Sequence, residues 1–201
     1  MFTQLKIRQL VAIGFAVFFL FCSGVAHADS LFNGSYAVGN WTTTLTNSDG
    51  NVNTSLAPTS VTLTGGNNGS FLPGETLFSI TAPTTATLSF NWIYSTLDCC
   101  GSVWDPAGYE IDGTKYQLST NSAVPGLGGS GATTVNLTAG DTFGFYVDTV
   151  DNLEGPGILQ VSGATSTPTP EPSTFVLLAV GLLGLVGLFR QRSRNSTCQL
   201  T

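Results

Sequence analysis

Ala86-Thr-Leu-Ser-Phe-Asn-Trp-Ile-Tyr94 alternates Ala86, Leu88, Phe90, Trp92 and Tyr94 with Thr87, Ser89, Asn91 and Ile93. Successive side chains of a strand point to opposite faces, so this segment has one apolar and one mostly polar face. The same alternation recurs at Phe143, Phe145 and Val147, at Val61 and Leu63, at Phe78 and Ile80, and at Val135 and Leu137. Clusters rich in Gly, Asn and Pro separate the runs, at Gly65 to Gly69, Leu72 to Gly74 and Pro125 to Gly131. Short alternating strands between turn signals predict an all-β sandwich or barrel, here a single antiparallel β-sandwich of jelly-roll-like type. No long amphipathic helical pattern interrupts this region.

One hairpin can be read in register. Asp112-Gly113 suits a two-residue type I′ turn, in which both central residues need positive φ. That turn pairs Ile111 with Thr114, Glu110 with Lys115 and Tyr109 with Tyr116. Tyr109, Ile111, Tyr116 and Leu118 then share a face expected to meet the core. Glu110 and Lys115 are expected to pair on the solvent face, a contact worth about 0.2–1 kcal/mol.

Outside the β-rich segment the two ends read differently. Lys6 and Arg8 precede an apolar run from Leu10 to Cys22, followed by Ala26-His27-Ala28. A basic start, an apolar stretch and a small-x-small site make a secretory signal peptide, with cleavage expected after Ala28. An uncleaved anchor is disfavoured because the run is short for a span and ends in small residues. At the other end, Pro170-Glu171-Pro172 leads into an uncharged run from Phe175 to Phe189, then Arg190, Arg192 and Arg194. A helix apolar all round is expected in lipid rather than in a small soluble domain. The arginines would hold its end on the cytoplasmic side. The expected organisation is residues 1–28 signal peptide, 29–163 β-sandwich, 164–172 Ser/Thr/Pro linker, 173–194 transmembrane helix with its arginine cluster, and 195–201 tail.

Charge narrows the range of partners. Of the six Lys and Arg, two lie in the signal peptide and three follow the apolar run, which leaves Lys115. Eleven of the twelve acids fall between Asp29 and Glu154, so this segment has a net charge near −10. Such a surface repels phosphate backbones, and nucleic-acid binding is not expected.

Enzyme chemistry has little support in the sequence. The one histidine, His27, leaves with the signal peptide, which removes Ser-His-Asp and Cys-His sites and most catalytic zinc sites. A glycosidase needs only a carboxylate pair, but nothing selects one. The expectation is a non-enzyme without a cofactor, with a polysaccharide-acting enzyme the least favoured reading. For binding, exposed tryptophans can stack on sugars, and the candidates are Trp41, Trp92 and Trp104. Alternation places Trp92 in the core, whereas Trp104 beside Asp105 lies in the loop from Gly101 to Gly108. Trp104 and Asp105 are therefore the candidate glycan platform, although a loop Trp more often closes over a core edge. Asp148, Asp151 and Glu154 supply hard oxygen donors for a candidate calcium site, but their spacing matches no EF-hand loop.

Cys22 lies in the signal peptide and Cys198 beyond the arginines, so Cys99 and Cys100 are the cysteines of the exported domain. Neighbouring Cα atoms are about 3.8 Å apart, below the usual disulfide range of about 4.4–6.8 Å. A Cys99–Cys100 disulfide would be strained, although an oxidising compartment favours it over free thiols. The alternatives are a redox or intermolecular link and a rigid local turn before Gly101.

The order Pro170-Glu171-Pro172, apolar run, Arg190, Arg192 and Arg194 resembles the PEP-CTERM sorting signal of bacterial exported proteins. Phe90-Asn-Trp-Ile-Tyr94, Trp104-Asp-Pro-Ala-Gly-Tyr109, Asp112-Gly113, Ala139-Gly-Asp-Thr-Phe-Gly-Phe145 and Asp151-Asn152 are similar to a β-sandwich domain that recurs in such proteins. That resemblance covers about Ser60 to Ser162, and Cys99-Cys100 departs from it. It implies secretion machinery and an exosortase-type processing protease as partners, with anchoring in the inner membrane by the C-terminal helix. Cleavage near Pro170-Glu171-Pro172 would then pass the domain to the cell envelope or an exopolysaccharide matrix. The expected function is a surface or matrix protein, and the alternative is a carbohydrate-binding module at the cell surface.

Overall fold

The computed structural model describes residues 29–168, together with the helical residues Gly181, Leu183 and Gly184. The expected signal peptide, PEP tripeptide and arginine cluster lie outside the described residues. Among the described residues, no helix is long and apolar enough to cross a membrane.

Among the described residues, eleven strands form two antiparallel sheets. They are β1 (Asp29–Ser30), β2 (Thr42–Thr46), β3 (Asn51–Asn53), β4 (Ser60–Thr64), β5 (Gly74–Thr81) and β6 (Ala86–Thr96). The remainder are β7 (Ala107–Ile111), β8 (Thr114–Gln117), β9 (Gly129–Leu137), β10 (Thr142–Thr149) and β11 (Gly157–Pro168). One sheet runs β3-β4-β11-β6-β9, with β1 also on β11, and the other runs β2-β5-β10-β7-β8. The pairs β4–β11, β5–β10, β6–β9 and β7–β8 are nested in sequence and divided between the sheets.

The alternation in Ala86 to Tyr94 is used as the sequence predicts at most positions. Ala86, Leu88, Phe90 and Tyr94 are buried, and Ser89, Asn91 and Ile93 face outward. Trp92 is half-buried and its ring packs over Gly129 and Gly131 of β9, where a Cβ on Gly131 would come within 2.9 Å of it. Across the sandwich, Phe90 meets Phe145 edge-to-face at 5.0 Å, and within β10 Phe143 meets Phe145 edge-to-face at 5.0 Å. Such offset aromatic pairs add about 0.5–1.5 kcal/mol beyond the area they bury.

Two features correct the sequence reading. Trp41 is a core residue and not a surface platform: it is 7% exposed, stacks on Phe78 at 4.9 Å and on Phe145 at 5.9 Å, and donates Nε1–H to the Tyr36 carbonyl at 2.9 Å. A pair of 3₁₀ turns, Gly34–Tyr36 and Val38–Asn40, delivers it there, so no alternating pattern announces it. The last strand also continues beyond Gly163 to Pro168, where a linker is expected. A bulge between Ser162 and Thr165 absorbs the register shift, with Gly163 at φ +56°. Pairing then resumes, Thr165 with Ser89 and Ser30, and Ser166 with Leu88 and Asp29. Ser and Thr suit an edge-free strand as well as a linker, so composition does not separate the two.

The predicted hairpin forms in the predicted register, with Glu110 opposite Lys115 and Tyr109 opposite Tyr116. Asp112 has φ +49° and Gly113 φ +75°, as a type I′ turn requires. Tyr109 and Tyr116 stack at 5.0 Å, although Tyr116 at the sheet edge stays 44% exposed.

Candidate functional site

The chemically varied residues gather where the β6–β7 and β10–β11 loops meet. Backbone bonds join these loops: Leu97 N–H to the Pro156 carbonyl at 3.1 Å, Val150 N–H to Trp104 at 2.8 Å, and Asp148 N–H to Pro106 at 2.8 Å. At the start of the first loop Asp98, Cys99, Cys100 and Gly101 form a tight turn. Gly101 N–H donates to the Asp98 carbonyl at 3.3 Å, and Gly101 takes φ +91°. Asp98 is buried, and its carboxylate accepts the Cys100 N–H across the turn.

Both cysteines are exposed free thiols with their Sγ atoms 3.2 Å apart. Cys99 Sγ also faces Glu154 Oε2 of the other loop at 3.8 Å. The hydrogen bond with Cys100 pushes the Cys99 thiol up to about 11, and loss of hydration and the neighbouring carboxylates act in the same direction. Among the described residues, Asp98, Cys99 and Cys100 are the group whose donor atoms lie close enough together, within 4.8 Å, to hold a metal ion.

Trp104 and Asp105 point to different environments. Trp104 is 37% exposed, whereas Asp105 is 0% exposed. Asp105 Oδ2 accepts from Thr96 Oγ1 at 3.1 Å, its carbonyl accepts from Tyr94 Oη at 2.7 Å, and Oδ1 has no hydrogen-bond partner. Burial pushes the Asp105 carboxyl up to about 7, with Asp98 and Asp151 adding to the rise and the Thr96 bond opposing it.

The candidate calcium ligands do not converge. Asp148 belongs to the outer face of the second sheet, where both its oxygens accept from Lys115 Nζ at 2.8 Å. Asp151 instead accepts the Leu153 N–H at 3.1 Å, and Glu154 faces Cys99. Lys115 departs from its expected partner as well: it ion-pairs with Glu75 and Asp148 at 2.8 Å, not with the Glu110 across the hairpin. Strand β10 lies on the other side of β7 and brings Asp148 and the Tyr146 ring, 4.7 Å from Nζ, beneath the lysine.

Sequence reasoning reads Asn152 as a further oxygen donor beside the candidate calcium ligands and as part of the Asp151-Asn152 motif, but not as the residue that holds this end of the sandwich together. Asn152 is 0% exposed and donates Nδ2–H to the carbonyls of Asn47 at 2.9 Å and Leu72 at 2.7 Å. A lone loop Asn beside an Asp carries no periodic signal that would reveal this.

Comparison with known proteins covers both parts of the chain. Residues 168–192 match the PEP-CTERM protein-sorting motif. The chain carries a PEP-CTERM sorting motif. Pro170, Glu171, Pro172, Arg190 and Arg192 fall inside the match, and Arg194 lies just beyond it. No curated protein matches the chain in sequence. Among solved structures, the chain is similar to the K3 cleaved adhesin domain of Lys-gingipain from Porphyromonas gingivalis, at 15% identity and TM-score 0.39, covering 70% of this chain and 96% of that one. A family 35 carbohydrate binding module from Clostridium thermocellum matches at 13% identity and TM-score 0.31, over 62% of this chain and 92% of its own. The enzymatically active domain of tailspike protein 4 from bacteriophage CBA120 matches at 12% identity and TM-score 0.33, over 66% of this chain. The chain spans 20% of that tailspike chain.

Proposed function

We propose that this PEP-CTERM protein is an exported, non-catalytic surface or matrix protein whose β-sandwich is the delivered cargo. The observation that carries this reading is the match of residues 168–192 to the sorting motif. The signal peptide would direct export. The apolar run from Phe175 to Phe189 would hold the chain in the inner membrane, with Arg190, Arg192 and Arg194 on the cytoplasmic side. An exosortase-type protease would then cut near Pro170-Glu171-Pro172 and pass the domain to the envelope or an exopolysaccharide matrix. A domain with one lysine against eleven acids and many hydroxyl and amide side chains suits a hydrated polysaccharide environment.

Intact mass of the protein from its native host, with cells and medium analysed separately, tests this. A released species running from near Asp29 to near Pro172 is expected. A species that keeps Phe175 to Thr201 and stays in the membrane fraction overturns the processing step.

A second reading, carbohydrate binding by the displayed domain, is favoured by one observation. Trp104 is 37% exposed on a loop while Trp41 is packed in the core, which leaves Trp104 as the loop tryptophan able to stack on a sugar. Retention on host exopolysaccharide that Trp104→Ala abolishes would support it. Equal retention of the variant, or none by the parent protein, would reject it.

A further inference from the structure

We infer that the Asp98–Gly101 turn and Glu154 form a binding site for a thiophilic divalent cation of the zinc class. The ligands are Cys99 Sγ, Cys100 Sγ, a carboxylate oxygen of Asp98 and Glu154 Oε2. Donor atoms of the first three residues lie within 4.8 Å of one another, and Glu154 Oε2 is 3.8 Å from Cys99 Sγ. Four donors of this kind match the tetrahedral preference of zinc, which accepts thiolate and carboxylate ligands together. Two sulfurs favour such an ion over calcium or magnesium, which take oxygen ligands.

The backbone fixes these donors in place before any ion arrives. Asp98 N–H donates to Thr96 Oγ1 at 3.0 Å and its carbonyl accepts from Gly101, so the turn that carries both cysteines is closed on itself. Asp98 uses Oδ1 to accept the Cys100 N–H, which leaves its second oxygen for a metal. On the facing loop Glu154 has φ +61° and Gly155 φ +120°. Gly155 packs so closely on Leu97 that a Cβ would come within 2.7 Å of the Leu97 carbonyl carbon, and Gly155 N–H donates to Asn67 Oδ1 at 3.2 Å. With Leu97 bonded to Pro156, Glu154 is held opposite Cys99 rather than swinging on a free loop.

Distances favour coordination over oxidation. Two sulfurs at about 2.3 Å from a tetrahedral ion stand about 3.8 Å apart. The thiols are now 3.2 Å apart and need only open slightly. A disulfide would have to close to about 2.05 Å across neighbouring Cα atoms that, at about 3.8 Å, are closer together than the usual disulfide range of about 4.4–6.8 Å. On binding, each thiol gives its proton to solvent and the cation takes both thiolates, so two protons leave per ion bound.

Cobalt(II) titration of the reduced full-length protein in detergent, with Cys22→Ser and Cys198→Ser as background, tests this site. Saturation at one ion per chain is expected, with visible ligand-field bands of tetrahedral cobalt and near-ultraviolet thiolate-to-cobalt charge transfer. Zinc should bleach these bands, and excess calcium should not. Adding Cys99→Ser and Cys100→Ser should abolish the charge transfer while the far-ultraviolet circular dichroism stays unchanged, because both side chains are exposed. Glu154→Gln should weaken binding by about tenfold or more. Charge transfer that survives the double cysteine variant overturns the assignment, as does the absence of any one-to-one cobalt complex. Recovery of the protein from its host with Cys99 and Cys100 joined, two hydrogens lighter, overturns it as well.

Discussion

Lys115 Nζ sits 2.8 Å from both carboxylate oxygens of Asp148, a residue two strands away in its sheet. The ammonium also pairs with Glu75 at 2.8 Å and lies 4.7 Å over the Tyr146 ring. Burial alone would pull the Lys115 ammonium down, but its bonds to Asp148 and Glu75 outweigh this and hold it above the ordinary lysine value. Glu110, buried beside them, is raised first by burial and then by the charge of Glu75. One cation thus offsets part of the charge of a face that brings three acids together.

Lys115→Met should therefore leave Glu75, Glu110 and Asp148 facing one another without a counter-charge. The group is partly solvated, so the loss falls below that of a fully buried pair, at about 1–2 kcal/mol near pH 7. It should shrink toward pH 4 as the carboxylates take up protons and their repulsion fades. Urea denaturation of the parent and the variant at both pH values measures this. An equal loss at the two pH values would show that the lysine stem packing on Tyr146 matters more than its charge.

Asp105 gives the sandwich a stability that falls as pH rises. Its carboxyl is raised to about 7 in the folded protein from 3.8, chiefly by burial. Between those values the folded chain holds a proton that the unfolded chain has released, so stability declines from about pH 4 to about pH 7. The full effect amounts to about 4 kcal/mol as an upper bound. Glu110 and Asp148 are shifted in the same direction and add to the decline. Asp105→Asn should flatten the curve and make the variant more stable than the parent at pH 8, with little difference at pH 4. Thermal unfolding across that range checks the sign, and an unchanged slope would reject it.

How far the sequence could be read depends on the range of each interaction. Asp112-Gly113 and the flanking pairs are local, and the turn chemistry alone fixes their register. Alternation likewise marks Phe90 and Phe145 as inward-facing, because a strand has a period of two whatever its partner. It cannot say that β11 enters between β4 and β6, or that β10 lies beside β7. Hairpin register therefore points Lys115 to its neighbour Glu110, whereas its partners come from β5 and β10. Trp41 follows two 3₁₀ turns and so lacks the period that would mark it as core. Glu154 meets Cys99 from a loop 55 residues away, which no spacing rule reaches.

Asn152→Asp tests the junction of the loops with the smallest change in shape. The Asn152 amide donates to two carbonyls, Asn47 and Leu72, while Asn152 itself sits at φ +59°. A carboxylate there would face both carbonyl oxygens without a proton to give, in a fully buried site. The expected loss is about 2–4 kcal/mol at pH 7, less below pH 5 where the side chain regains a proton. Asn152→Ala should also destabilise, but without the pH dependence. A neutral effect of Asp at pH 7 would mean that the 65–73 loop can withdraw its carbonyl and admit water.

Gly108 and Gly113 bracket the same hairpin and separate two reasons for a glycine. At Gly113 φ is +75° and nothing lies within 4 Å of a built Cβ, so Gly113→Ala carries only the conformational cost, about 1–2 kcal/mol. Gly108 lacks that dihedral constraint, but a Cβ there would overlap the Tyr116 carbonyl oxygen and come 2.9 Å from Tyr146 Oη. The carbonyl belongs to β8, whose Gln117 pairs with Gly108, so it can retreat only by breaking the ladder. Gly108→Ala should cost about 3 kcal/mol and lower the protection from hydrogen exchange of β8 amides, whereas Gly113→Ala should leave that protection pattern intact. Denaturation together with amide exchange on both variants makes the comparison. If Gly108→Ala is no worse than Gly113→Ala, then the edge strand β8 yields more readily than its stacked Tyr109–Tyr116 pair implies.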